Sequence, residues 1–153
     1  MGDVPSWQVR EEVNLAEASL PLRGGCQCGA VRYEILAEPQ ALYVCHCTEC
    51  RGQSGSAFGI SVYVERSAFK VVGETRTWTR PSDSGLPTHC HFCAVCGSRV
   101  WHDGPHDDPI VSVKGGTLDT PPDLSEAVHV WTRSKLPGVI IPARAEQHPA
   151  EPD

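Results

Sequence analysis

Eight cysteines gathered in three tight clusters constrain this chain more than any other feature of its sequence. They read Cys26-x-Cys28, Cys45-x-Cys47-x-x-Cys50 and Cys90-x-x-Cys93-x-x-Cys96. A disulfide framework spreads its cysteines so that bridges close sizeable loops, whereas a small metal ion needs close pairs. Tetrahedral zinc holds thiolates at about 2.3 Å, so one short loop presents two sulfurs to the same ion. Glycines stand where such loops turn: Gly24 and Gly25 before the first pair, Gly29 after it and Gly97 after Cys96. Free cysteine is also an ordinary small core residue, but three clusters in one short chain are not the pattern of scattered packing. Redox Cys-x-x-Cys chemistry leaves the other two spacings unexplained, and no βαβ pattern surrounds any cluster. The clusters are therefore read as metal ligands. Persistent disulfides are not expected, which places the protein in a reducing cytoplasm.

At 153 residues the chain fits one domain, large enough to bury roughly two thirds of its unfolded surface. Metal need not do all the stabilising. With 13 Lys+Arg against 19 Asp+Glu the formal net charge is -6, and the cations are dispersed. That is a poor match to a polyanion, so nucleic acid and anionic membranes are not expected partners. No apolar run nears the 18 or so residues that span a bilayer. The first 23 residues carry Asp3, Glu11, Glu12 and Glu17 and have neither a basic nor an apolar leader segment.

Between the clusters the chain reads as short strands and turns. Residues 30–36 (AVRYEIL) are β-branched and aromatic, and 57–64 (AFGISVYV) alternate so that Phe58, Ile60, Val62 and Val64 share one face. Residues 69–72 and 75–79 flank Gly73-Glu74 and predict a hairpin. Short apolar runs at 110–113 and 128–131 predict two more strands, and helix is limited to 10–20 and a turn at 65–69. The expected class is mainly β, a single compact β-sandwich with short helical turns. Residues 1–21 form an N-terminal extension, 22–142 the zinc-binding domain and 143–153 a disordered, Pro- and charge-rich tail. Tyr43, Phe58, Tyr63, Trp78, Trp101 and Trp131 are read as core. The segment WHDGPHDDP, with His102, Asp103 and His106, is read as a solvated loop.

Three ordered motifs carry a resemblance. The run from Gly24 to Tyr33 (GGCQCGAVRY) resembles the opening motif of the glutathione-dependent formaldehyde-activating enzyme family, which includes the centromere protein V group. Cys45-His46-Cys47-Thr48-Glu49-Cys50-Arg51 is similar to its central signature, and Phe92-Cys93-Ala94-Val95-Cys96-Gly97-Ser98 to its third motif. The resemblance implies a β-rich, Mss4-like zinc-binding fold and two zinc ions. Cys26, Cys28, Cys93 and Cys96 match the ligands of a closed structural zinc, and Cys45, Cys47 and Cys50 those of a catalytic zinc with an open fourth position. It also implies carbon–sulfur lyase chemistry on glutathione or another thiol adduct, of the formaldehyde-adduct type.

A zinc with three thiolates is a soft, modest Lewis acid suited to a sulfur ligand. His46, Glu49, His89 and His91 are candidates for the accompanying proton. Each is weighed against a plainer role, as a hydrogen-bond partner of the ligands or a surface group, and none is assigned as catalytic. Arg51 is read equally as a functional cation, offsetting thiolate charge or pairing with a substrate carboxylate, or as a surface arginine. Two departures stand out: the family pattern does not call for Cys90, and Lys135-Leu136-Pro137 is followed by Gly138 where the family often has an aromatic. Cys90 is expected to be a bystander. The competing reading is a non-catalytic zinc module that binds a protein partner. An open coordination position facing a pocket favours the enzyme, and a closed second zinc with a flat apolar patch favours the module. The oligomeric state is left open.

Overall fold

The computed structural model describes residues 14, 15 and 18–152. Apart from its last residues, the helix expected at 10–20 lies outside them. The remainder is mainly β, in two sheets. Strands β1 (Leu22–Gly25), β2 (Arg32–Ile35) and β5 (Phe69–Val72) form a three-stranded sheet in the order β1-β2-β5. The second sheet contains β3 (Ala41–Cys45), β4 (Gly59–Glu65), β6 (Thr75–Pro81), β7 (Pro87–Cys93), β8 (Arg99–Asp103), β9 (Ile110–Lys114) and β10 (Val128–Val130). Its order is β10-β3-β4-β9-β8-β7-β6. All pairings are antiparallel except β10 with β3.

Alternation explains how the sheets meet. In β4, Val62 and Val64 are buried with Val111 and Val113 of β9 and face Val31, Tyr33 and Ile35 of the small sheet. Side chains of this kind each contribute about 1.5–3 kcal/mol on burial. Residues one step along these strands, Ser61, Tyr63, Ser112 and Lys114, therefore turn to the opposite face of the large sheet. That face carries the only α-helix among the described residues, α1 (Thr48–Ser54).

Three expectations are corrected. Residues 69–72 and 75–79 are strands but not a hairpin: β5 pairs with β2 in the small sheet, β6 with β7 in the large one. Gly73, at φ 107, makes the corner between sheets, where a Cβ would lie 2.2 Å from the Ala30 carbonyl oxygen. Trp101, His102 and Asp103 are not a solvated loop but most of β8. Asp103 is 8% exposed and accepts from Arg66 at 2.8 Å and His91 at 3.0 Å.

The third correction is the tail. Residues 143–152 run beside β10, with His129 N–H donating to Glu146 O and His148 N–H to His129 O, both at 2.8 Å. Trp131 Nε1 donates to Glu151 at 2.7 Å, and Ala145 is buried. The edge of β10 supplies the reason, since its outward N–H and C=O groups need partners and prolines on an added edge segment cost it little.

Candidate metal centre

Two groups of thiols come together. The sulfurs of Cys26, Cys28, Cys93 and Cys96 all lie within 4.8 Å of one another, as do those of Cys45, Cys47 and Cys50. All eight cysteines are free, and Cys90 belongs to neither group.

In the first group, Cys26 and Cys28 follow β1, and Cys93 and Cys96 bracket the turn from β7 to β8. Gly97, at φ 78, closes that turn with its N–H on Cys93 O at 3.0 Å. A tetrahedral ion with bonds of about 2.3 Å sets its sulfurs about 3.8 Å apart. Cys26 and Cys28 are separated by 3.5 Å and Cys28 and Cys93 by 3.8 Å. The donor set fits zinc. Backbone N–H groups of Val31, Val95 and Cys96 point at the Cys26 and Cys93 sulfurs at 3.2–3.4 Å, as thiolates require. The Ser98 hydroxyl and backbone draw Cys96 down to about 5. Cys28 is favoured as thiolate by the Ala30 N–H, yet the Cys26 sulfur and its other neighbours push it up to about 11. Four sulfurs this close do not all ionise without a cation between them.

The second group is local. Cys45 ends β3, Cys47 is the N-cap of α1, and Cys50 lies in its first turn with its N–H donating to the Cys47 sulfur at 3.3 Å. Hydrogen bonds from the Cys45 and Cys50 thiols draw Cys47 down to about 2, and the same contacts push Cys45 far up. Cys50 gains from Cys45 but is raised more by Cys47 and burial, ending at about 11. One thiolate is accommodated more readily than two unless a cation lies among the three sulfurs, and their mutual closeness means the group could hold a metal ion. Tyr43, Val128, Val130 and Trp131 pack against this group.

Cys50 also lines a pocket of about 270 Å³ between α1 and the open face of the large sheet, with Glu49, Trp78, Arg80, Cys90, Arg99, His102 and Lys114 among its walls. Register explains the sheet wall. Trp78, Cys90, His102 and Ser112 are successive cross-strand partners, so they share one face with Lys114, two residues along β9. Arg99 reaches that face through a bulge. His91 pairs with Trp101 and Phe92 with Arg99, leaving Val100 extra. Val100 is fully buried, while the Arg99 guanidinium lies 5.5 Å from the centre of the Trp78 ring. Three cations thus converge on one pocket of an acidic protein. Lys114, 7% exposed, is pushed down to about 8 by burial, against the pull of the Cys50 and Cys90 sulfurs. Its Nζ lies 2.5 Å from His102 Nδ1, and burial holds His102 well below its usual range, so the ammonium donates and the imidazole accepts.

Of the four proton candidates, only Glu49 reaches this pocket, 3.7 Å from Arg80. His89 and His91 share their face with Asp103, Trp101 and Val113, on the opposite side of the sheet. His46 is fully buried and bonds His129 at 2.8 Å. Arg51 donates to Ser134 O at 3.2 Å. Trp78, expected in the core, is 52% exposed and walls the pocket. Lys114 is not singled out in the sequence, and His102 reads there as part of a solvated loop rather than of β8. Lys114 closes an apolar run, IVSVK, and alternation along VWHD would have set His102 apart from its neighbours.

A family model for glutathione-dependent formaldehyde-activating enzymes matches residues 21–134. The chain belongs to this family. A protein of Halomonas elongata, provisionally named a glutathione-dependent formaldehyde-activating enzyme, is 29% identical over 131 residues, covering 82% of this chain and 83% of its own. A crystal structure of a Rhodobacter sphaeroides protein superposes with a TM-score of 0.53 at 24% identity, over 71% of this chain and all of that one. That likeness speaks for the fold alone. Among the described residues no helix is long and apolar enough to cross a membrane.

Proposed function

We propose that this protein is a zinc-dependent carbon–sulfur lyase acting on an adduct of glutathione, or of another thiol, with an aldehyde. One observation carries the reading: the three-thiol group meets a pocket, through Cys50, that also holds Arg80, Arg99 and Lys114. Cys26, Cys28, Cys93 and Cys96 would hold a structural zinc, and Cys45, Cys47 and Cys50 a second. Zinc held there would supply positive charge to keep a substrate sulfur as thiolate.

The remaining work falls to the chain. Arg80 and Arg99 are placed to hold the carboxylates of a peptide thiol, with Trp78 as a wall. Lys114 Nζ donates to His102 Nδ1 in the pocket that Cys50 also lines. The bond broken is C–S. The sulfur keeps the C–S electron pair, the adduct's hydroxyl oxygen becomes the carbonyl oxygen, and the hydroxyl proton passes by way of solvent to the sulfur, which departs as the thiol. Adduct becomes thiol plus aldehyde, with no oxidant required. Eight free thiols suit a reducing cytoplasm. The alternative, a non-catalytic interaction module, calls for a closed second centre, and among the described residues that group has three thiols.

The test is exchange between glutathione, formaldehyde and their adduct, followed by NMR under reducing conditions. The native protein should accelerate exchange, zinc removal should abolish it and zinc should restore it. Equal exchange with native protein and Cys47→Ser would remove the lyase reading.

A further inference from the structure

The thiol pocket does not end at Arg99. Gln53, Arg99 and Lys114 also line a second hollow of about 380 Å³, together with Phe58, Ile60 and Gly116. Those last three belong as well to a third hollow, of about 520 Å³. The three are therefore one groove, running from Cys50 around the end of the large sheet where β3 and β9 finish and β4 begins. Its chemistry changes along the way. The Cys50 end is cationic, whereas the far end is walled by Val44, Leu118, Leu124, Val139 and Ile140, the last 90% exposed.

A single imidazole lines this apolar end. His129 is 5% exposed, its Nδ1 bonds His46 Nε2 at 2.8 Å, and its Nε2 is buried with no partner among the described residues. As an imidazole nitrogen, His129 Nε2 offers one donor or one lone pair. Such an atom is costly unless something meets it, and an oxygen on a bound molecule would.

We infer that the far end of the groove binds the apolar part of the electrophile, so that the natural adduct is that of an alkyl or aryl aldehyde bearing a further oxygen rather than of formaldehyde. The walls shared with the Cys50 pocket favour this occupant over a separate partner, because an S-linked chain extended from Cys50 past Gly116 would meet the apolar walls. The inference rests on the lyase reading for the direction of the chain, and its test is binding rather than turnover.

The experiment is calorimetry of the zinc-loaded protein with S-methylglutathione and S-hexylglutathione. Two variants serve as controls. A Cβ at Gly116 meets no atom within 4 Å, so Gly116→Leu has room at its first side-chain atom and narrows the junction, and Ile140→Glu places a charge on an exposed apolar wall. Each fully buried methylene is worth about fourfold in affinity. The hexyl compound should bind at least about tenfold more tightly than the methyl one. Both variants should shrink that ratio below about threefold while leaving the methyl compound unchanged. A full ratio with no turnover of any adduct still supports the groove while the lyase reading falls. Equal affinities in the native protein, no binding of either compound, or a ratio untouched by both variants overturns the inference. So does a dimer that Ile140→Glu converts to monomer at constant ligand affinity, which would assign this face to a second copy of the chain.

Discussion

The two thiol groups use the same side chain and differ in how much chain lies between their members. Cys28 and Cys93 are 65 residues apart and touch at 3.8 Å, so the first group ties the end of β1 to the turn between β7 and β8. Cys45, Cys47 and Cys50 all fall within six consecutive residues around the start of α1. A cross-link over 65 residues removes about 4 kcal/mol of entropy from the unfolded chain, and one over about five removes about 2. The first group is also complete with four sulfurs, while the second has three and meets a cationic pocket. On the proposed reading, the same chemistry placed at long and short range serves stability in one case and reactivity in the other.

The largest expected effect comes from cutting the long-range group. Cys93→Ser should lose one zinc and about 4 kcal/mol, which lowers the melting temperature by about 10 °C or more. A melt within 3 °C of the native protein's would show that the core alone holds the two sheets together. Cys47→Ser should instead lower the melting temperature by only about 5 °C, lose the other zinc and lower adduct exchange by about a thousandfold. Equal collapse of both variants in thermal melts would make the second centre structural as well.

A smaller effect is expected at the pocket. Arg99→Ala, which leaves both thiol groups intact, should raise KM for a glutathione adduct about tenfold, the cost of one charged hydrogen bond. An unchanged KM would take Arg99 out of substrate binding.

These contrasts were unevenly legible in the sequence. Cluster spacing pointed to metal, and the alternation of residues 57–64 gave a core strand that β4 matches with Val62 and Val64. Which cysteines share an ion came from family resemblance, because pairing across 65 residues leaves no local trace. Sheet switching at Gly73 was invisible for a related reason: a tight turn between two strands looks the same whether they pair with each other or with distant ones. The Val100 bulge aims Arg99 at the pocket, and it exists only as a mismatch between β7 and β8. Tail residues 143–152 look disordered by composition and are ordered by the edge of β10 they cover.

Asp103 sharpens the comparison from outside both groups. Burial alone would raise its pKa, but the hydrogen bonds from His91 and Arg66 outweigh that and hold it below the usual carboxylate range. A lowered pKa adds stability above the unfolded value and loses it as pH falls through the folded one. Asp103→Asn should therefore cost about 1–3 kcal/mol at neutral pH, with the gap to the native protein closing in the acid range. Zinc content should stay at the native value, and a loss of metal would tie this network to one of the centres. The smallest effect is expected at Cys90, buried in the pocket wall but outside both groups. Cys90→Ala should cost about 1 kcal/mol or less and leave zinc content unchanged. Loss of one zinc equivalent would make it a ligand and close the second centre.

The most direct measurement is native mass spectrometry of the protein purified under reducing conditions, repeated on Cys47→Ser. The native chain should carry two zinc ions with all eight thiols reduced, and the variant one zinc on a chain that still folds and melts only about 5 °C lower. A metal-free native chain lighter by the hydrogens lost to disulfides, or a variant that retains two zinc ions, would contradict the account.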